Sequence, residues 1–86
     1  MADVSMYKDK EKWNAFVAKG KAAFERLREE LAGQQGVVAI EPESGDYFVG
    51  ATLGKANALA FQKYPDQWLY FVRLDNPDAA MPLPTW

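Results

Sequence analysis

One stretch limits what this chain can become. Between residues 6 and 32 apolar and small residues recur at helical spacing, interrupted by nothing stronger than a single glycine. They fall at Met6, Trp13, Val17, Gly20, Phe24, Leu27 and Leu31, and from Trp13 onward the steps are 4, 3, 4, 3 and 4. That pattern is one apolar stripe along one helix, widened by Phe16 and Ala23. It predicts a long helix over 6–32, capped by Ser5 at its start and closed by Gly33 in a left-handed conformation. Gly20 costs such a helix ~1 kcal/mol against alanine, so it marks a close backbone approach or a bend. Lys8, Lys10 and Lys12 lie early and Glu29 and Glu30 late, against the helix dipole and only softened by Asp9 and Glu11. A helix so charged persists only on a tertiary surface, which the rest of the 86 residues must supply.

That surface reads as a small sheet. Residues 37–41 are dense in β-branched side chains and form a first strand. Pro42-Glu43-Ser44-Gly45 is turn chemistry, and 46–51 return as a second strand, making a hairpin. Thr52 caps a short helix over 53–63, with Ala56 and Ala60 on its inner face, small enough to let it lie close to the sheet. Tyr64-Pro65-Asp66 ends that helix, because the residue before proline avoids the α region. Residues 68–74 form a third strand, with Trp68, Tyr70, Val72 and Leu74 on one face and Leu69, Phe71 and Arg73 on the other. Both faces are largely apolar, so this strand is covered on both sides. The expected fold is a single α+β domain over 1–74, in the order α-β-β-α-β. Its three-stranded sheet has order 2-1-3, and a right-handed crossover joins the second strand to the third. Residues 75–86 are a tail whose Pro77, Pro82 and Pro84 bar it from helix or central strand.

The length of the first helix matters for function. About 27 residues span ~40 Å of helix, whereas a strand of six spans ~20 Å. Phe24, Leu27 and Leu31 cover the sheet, and Trp13, Phe16 and Val17 overhang it. An overhanging aromatic stripe calls for a cover. The tail offers Met81, Leu83 and Trp86 for the same purpose. The expected partner-binding residues are therefore Trp13, Phe16, Val17, Met81, Leu83 and Trp86, and the expected partner is another protein or a second copy of this chain.

Catalysis is not expected. The chain has no histidine and no cysteine, which removes the commonest general base, the thiolate nucleophile and the usual zinc sites. Glu41, Glu43, Ser44 and Asp46 cluster at the hairpin, but Pro42 interrupts them and they lack calcium-loop spacing, so they read as a solvated turn. Gly50-Ala51-Thr52-Leu53-Gly54-Lys55 looks briefly like a phosphate loop. It has three residues between the glycines instead of four, and Ala56 stands where Ser or Thr is required. No catalytic, cofactor-binding or metal-binding residue is therefore assigned, and no cofactor is expected. The alternative function is a nucleic-acid-associated regulator using Lys8, Lys10, Lys12, Lys19 and Lys21 with Trp13 and Phe16. A net charge of −2 disfavours it. No apolar run approaches 18 residues and residues 1–12 are polar, so neither membrane insertion nor a secretory leader is expected. A cytoplasmic location is the expectation, since no disulfide argues for an oxidising compartment.

Residues 38–50, Val-Ala-Ile-Glu-Pro-Glu-Ser-Gly-Asp-Tyr-Phe-Val-Gly, carry a resemblance. So do Thr52-Leu53, Ala56, Ala60, Lys63-Tyr64-Pro65-Asp66 and Tyr70-Phe71-Val72-Arg73. Together, over residues 12–74, they resemble a family of small bacterial proteins, frequent in cyanobacteria, in which a helix precedes such a hairpin and the chain ends on such a strand. The family carries no established activity. The resemblance implies a small accessory partner of another protein, in the manner of an antitoxin. Members stop soon after the strand, whereas this chain continues past Leu74 to Trp86, which implies a contact of its own.

Overall fold

The computed structural model describes residues 8–85. The first helix, α1, runs Lys10–Leu31. Its cap is Asp9, whose carboxylate accepts from the Glu11 and Lys12 amides at 3.0 and 3.3 Å. The expected cap Ser5 and the first apolar position Met6 lie outside the described residues. At the other end the Gln34 amide donates to the Leu31 carbonyl at 3.1 Å, and Gly33 takes the positive φ of 84° that this closure needs.

Strand β1 (Val37–Ile40) pairs antiparallel with β2 (Tyr47–Gly50) on one side and with β3 (Trp68–Arg73) on the other. Between β2 and β3 lies α2 (Leu53–Lys63), capped by Thr52, whose hydroxyl accepts the Lys55 amide at 3.2 Å. It stops where the Tyr64 amide reaches the Ala60 carbonyl, one residue before Pro65.

The three-stranded expectation is corrected here. Residues 76–84 are not a free tail. They form a fourth strand, β4 (Asn76–Pro84), antiparallel to β3, and the sheet is four-stranded with order β2-β1-β3-β4. Strand β4 is an edge, and the reason its prolines permit it is the alternation of an antiparallel ladder. The Thr85 amide donates inward to the Gln67 carbonyl at 2.9 Å. Leu83 and Met81, two and four residues earlier, therefore also direct their amides to β3. Pro82 and Pro84 occupy the positions whose amides would face outward, so nothing in the ladder is lost. Register slips between Val72 and Arg73, where Arg73 pairs with Asn76 across the turn.

The helices lie on opposite faces. On the α1 face Ala23, Phe24 and Leu31 meet Val38, Ile40, Tyr70 and Val72. On the α2 face Ala56 and Ala60 meet Val37, Ala39, Leu69 and Phe71. Strand β1 is apolar on both faces because it is sandwiched between the helices, and the residues Trp68–Val72 of β3 are buried as well. Of the close approach or bend expected at Gly20, the structure has the close approach: a Cβ there would clash with the Tyr70 ring at its Cγ.

Candidate functional site

The two faces are not finished alike. Helix α1 turns water-seeking side chains outward, including Lys21, Glu25, Arg26, Arg28 and Glu29. Helix α2 does not. Its eleven residues hold two charges, Lys55 and Lys63, and its exposed positions include Leu53, Ala58, Leu59 and Phe61. A helix with apolar side chains on its flanks as well as on its inner face is suited to burial on more than one side.

Helix α2 packs on β2 and β1. Beside it, over β3 and β4, lies an open cavity of about 1020 Å³. Phe71, Met81 and Leu83 form its floor, Thr52 and Leu53 one wall, and the 33–36 loop its end. The charged groups lining it are Arg73 and Asp75, already joined at 3.1 Å. The trough is therefore apolar and nearly neutral, with polar groups confined to the rim. Such a surface is suited to contact with apolar side chains.

The expected partner residues divide between two places. Trp13, Val17 and Met81 do come together, lining a recess of about 440 Å³ between α1 and β4. Trp13 is half-buried and meets Trp68 edge to face, ring centroids 6.3 Å apart. Phe16 and Val17 are packed against the α1-face core, so much of the expected overhang is covered by β3 and β4. Leu83 lies on the opposite face, in the trough, and Met81 borders both cavities from the sheet edge. Trp86 lies outside the described residues. Leu53, Leu59 and Phe61 are exposed on the α2 side without having been expected there. The signal for them in the sequence is the scarcity of charge in α2.

The acidic hairpin is tied up internally. Glu41, only 6% exposed, accepts the Glu43 and Ser44 amides at 3.2 and 2.6 Å, bracing its own turn. Asp46 receives the Lys63 ammonium and the Tyr64 hydroxyl, each at 2.6 Å. Those donors hold its carboxyl below the usual carboxylate range, and Asp46 in turn raises Lys63. Lys19 pairs with Glu43 at 3.0 Å. These links fasten the hairpin to the end of α2 and to α1. Among the described residues no three carboxylates gather as metal ligands. Nor, among them, is any helix long and apolar enough to cross a membrane.

Fold and site together define a four-stranded antiparallel sheet with one charged helix face and one half-covered apolar face. The chain matches no protein-family model, no curated protein and no solved structure.

Proposed function

We propose that this protein is a non-enzymatic protein-binding module, a small adaptor or accessory subunit, that docks through the α2 side of its sheet. One observation carries the reading. Among the described residues five large apolar side chains are exposed, and four of them, Leu53, Leu59, Phe61 and Met81, belong to that side. The fifth, Tyr47, has its hydroxyl bonded to Glu30. Full burial of such a side chain is worth roughly 1.5–3 kcal/mol, and these retain about half of their exposure, so a partner covering several gains roughly half of that for each. The accessory, antitoxin-like role implied by the resemblance is a role of this kind. We place it in the cytoplasm, where a chain without cysteine has no disulfide to forgo.

The test is comparative capture from native extract. Wild-type protein is set beside Leu59→Glu, Met81→Glu and, on the charged face, Arg26→Glu. A specific protein partner is expected to be retained by wild type and Arg26→Glu through high salt and nuclease. It is expected to be lost by the other two. A partner indifferent to Leu59→Glu and Met81→Glu would overturn the reading, as would capture that salt or nuclease abolishes.

A further inference from the structure

We infer that the partner contributes a strand: an extended segment of a second protein, with an acidic residue two positions before an apolar one, adds to the sheet alongside β2. The inference rests on the docking reading above and gives the partner its chemistry.

The sheet has two edges, β4 and β2. Pro82 and Pro84 close the first. Strand β2 reads Tyr-Phe-Val-Gly, with neither proline nor charge to turn another strand away. Its ladder fixes which backbone groups point outward. The Glu41 amide donates to the Asp46 carbonyl at 2.8 Å, and these two stand opposite each other, one step beyond Ile40 and Tyr47. Alternation then turns Phe48 and Gly50 toward β1 and directs the amides and carbonyls of Tyr47 and Val49 away from it. The Leu74 amide, bonded to the Gly36 carbonyl at 2.9 Å, gives the same alternation from the β3 side of β1. Among the described residues the four outward groups have no partner. They are two donors and two acceptors, which two residues of one antiparallel strand satisfy together.

Side chains beside this edge set the sequence of the incoming strand. Helix α2 runs back over β2: a Cβ on Gly50 would meet the backbone of Lys55 and Ala56, and Lys63 bonds Asp46 beyond the other end of the strand. Lys55, Leu59 and Lys63 stand four residues apart and so form one row along the helix. Leu59 is therefore level with Phe48, which is half-buried on the α2 face. A partner residue opposite Phe48 points to that face, beside Phe48 and Leu59, and is apolar. The residue opposite Gly50 comes two positions earlier in an antiparallel strand and lies beside Lys55. Among the described residues the Lys55 ammonium has no partner, whereas Lys63 is held by Asp46. An acid at that earlier position complements it. A second copy of the chain fits worse. Pairing β2 with itself about a two-fold axis sets the two α2 helices antiparallel, with Lys55 of one copy facing Lys63 of the other. The acid a copy would offer, Asp46, is already bonded to Lys63 and Tyr64 of its own chain.

Random-peptide display against the immobilised full chain tests the inference. Enriched peptides are expected to share an acidic residue two positions before an apolar one, within a run that lacks proline. Lys55→Glu is expected to weaken them at least about tenfold and to enrich a basic residue at the same position instead. Val49→Pro removes one outward amide and no ladder bond, and is expected to abolish binding while the cooperative melt is kept. Tyr47→Pro repeats that test should the first variant fail to fold. Hydrogen exchange reads the contact directly: with a selected peptide bound, the Tyr47 and Val49 amides are expected to exchange at least about tenfold more slowly. No enrichment, enrichment indifferent to both proline variants, or protection that spares Tyr47 and Val49 overturns strand addition. A wild-type dimer in sedimentation that Val49→Pro dissolves overturns the choice of partner. A native partner lost on Met81→Glu but kept by Val49→Pro overturns strand addition and leaves the docking reading standing.

Discussion

Gly20 is a point of close contact between α1 and the sheet, where the helix backbone lies against the Tyr70 ring. Alanine there improves helix propensity by ~1 kcal/mol. Its methyl group, however, meets the Tyr70 ring, and overpacking of that kind costs about 1–3 kcal/mol. Gly20→Ala is therefore expected to lower the denaturant midpoint, and a variant more stable than wild type would show that the layers are not in contact there. Tyr70 supplies a second prediction. Burial pushes its phenol above the ordinary tyrosine value, so the folded chain keeps this proton at pH values where the unfolded chain has released it. The contribution is fully present below pH ~10 and is lost as pH rises through the folded value. Urea melts between pH 8 and 11 are expected to show stability falling with pH more steeply in wild type than in Tyr70→Phe. Tyr47 is also raised, through its bond to Glu30, so Tyr47→Phe is the comparison that isolates the buried group.

At the scale of elements, what was legible in the sequence was local. Helix α1 showed through its steps of three and four, the hairpin through Glu41-Pro42-Glu43-Ser44-Gly45, and α2 through Thr52 and Tyr64-Pro65. Each signal depends on neighbours within a turn or two of chain. Strand β4 was hidden because a proline's compatibility with a strand depends on which way its nitrogen points, and that is decided only when β3 is alongside. The docking surface was hidden for a related reason: α1 and α2 both look amphipathic in part, and only the sheet order shows which face is left half open. The same logic gives a prediction about the edge. Pro84 denies an outward amide to any incoming strand, and Pro84→Val restores it. The variant is expected to form larger, concentration-dependent species than wild type, detected by light scattering, with β3–β4 pairing retained. If its size distribution matches wild type, the prolines are not guarding the edge.

For the molecule as a whole, the question is whether residues 75–86 belong to the fold or merely follow it. The last described residue gives the physical answer. Thr85 is 2% exposed, its amide bonds the Gln67 carbonyl, and its hydroxyl accepts the Gln67 amide at 3.0 Å while donating to the Tyr64 carbonyl at 2.6 Å. This clasp joins the end of β4 to the turn that separates α2 from β3. Removing residues 75–86 strips β3 of its outer partner and uncovers apolar groups on both faces, with Leu69 and Phe71 on one and Tyr70 and Val72 on the other. The ladder amides and carbonyls of β3 then exchange their protein partners for water, at a net loss of about 0.5–1.5 kcal/mol per hydrogen bond. A small domain is stable by ~5–15 kcal/mol in total, so the truncated chain is expected to lose its cooperative melt. Thr85→Val is the gentler form of the experiment. It keeps the shape and the amide, removes the hydroxyl, and is expected to lower stability by about 1–3 kcal/mol while the far-ultraviolet spectrum stays native. If the truncated chain still melted cooperatively within a few degrees of the full one, β4 would be an appendage, and the floor of the trough would not be part of the folded unit.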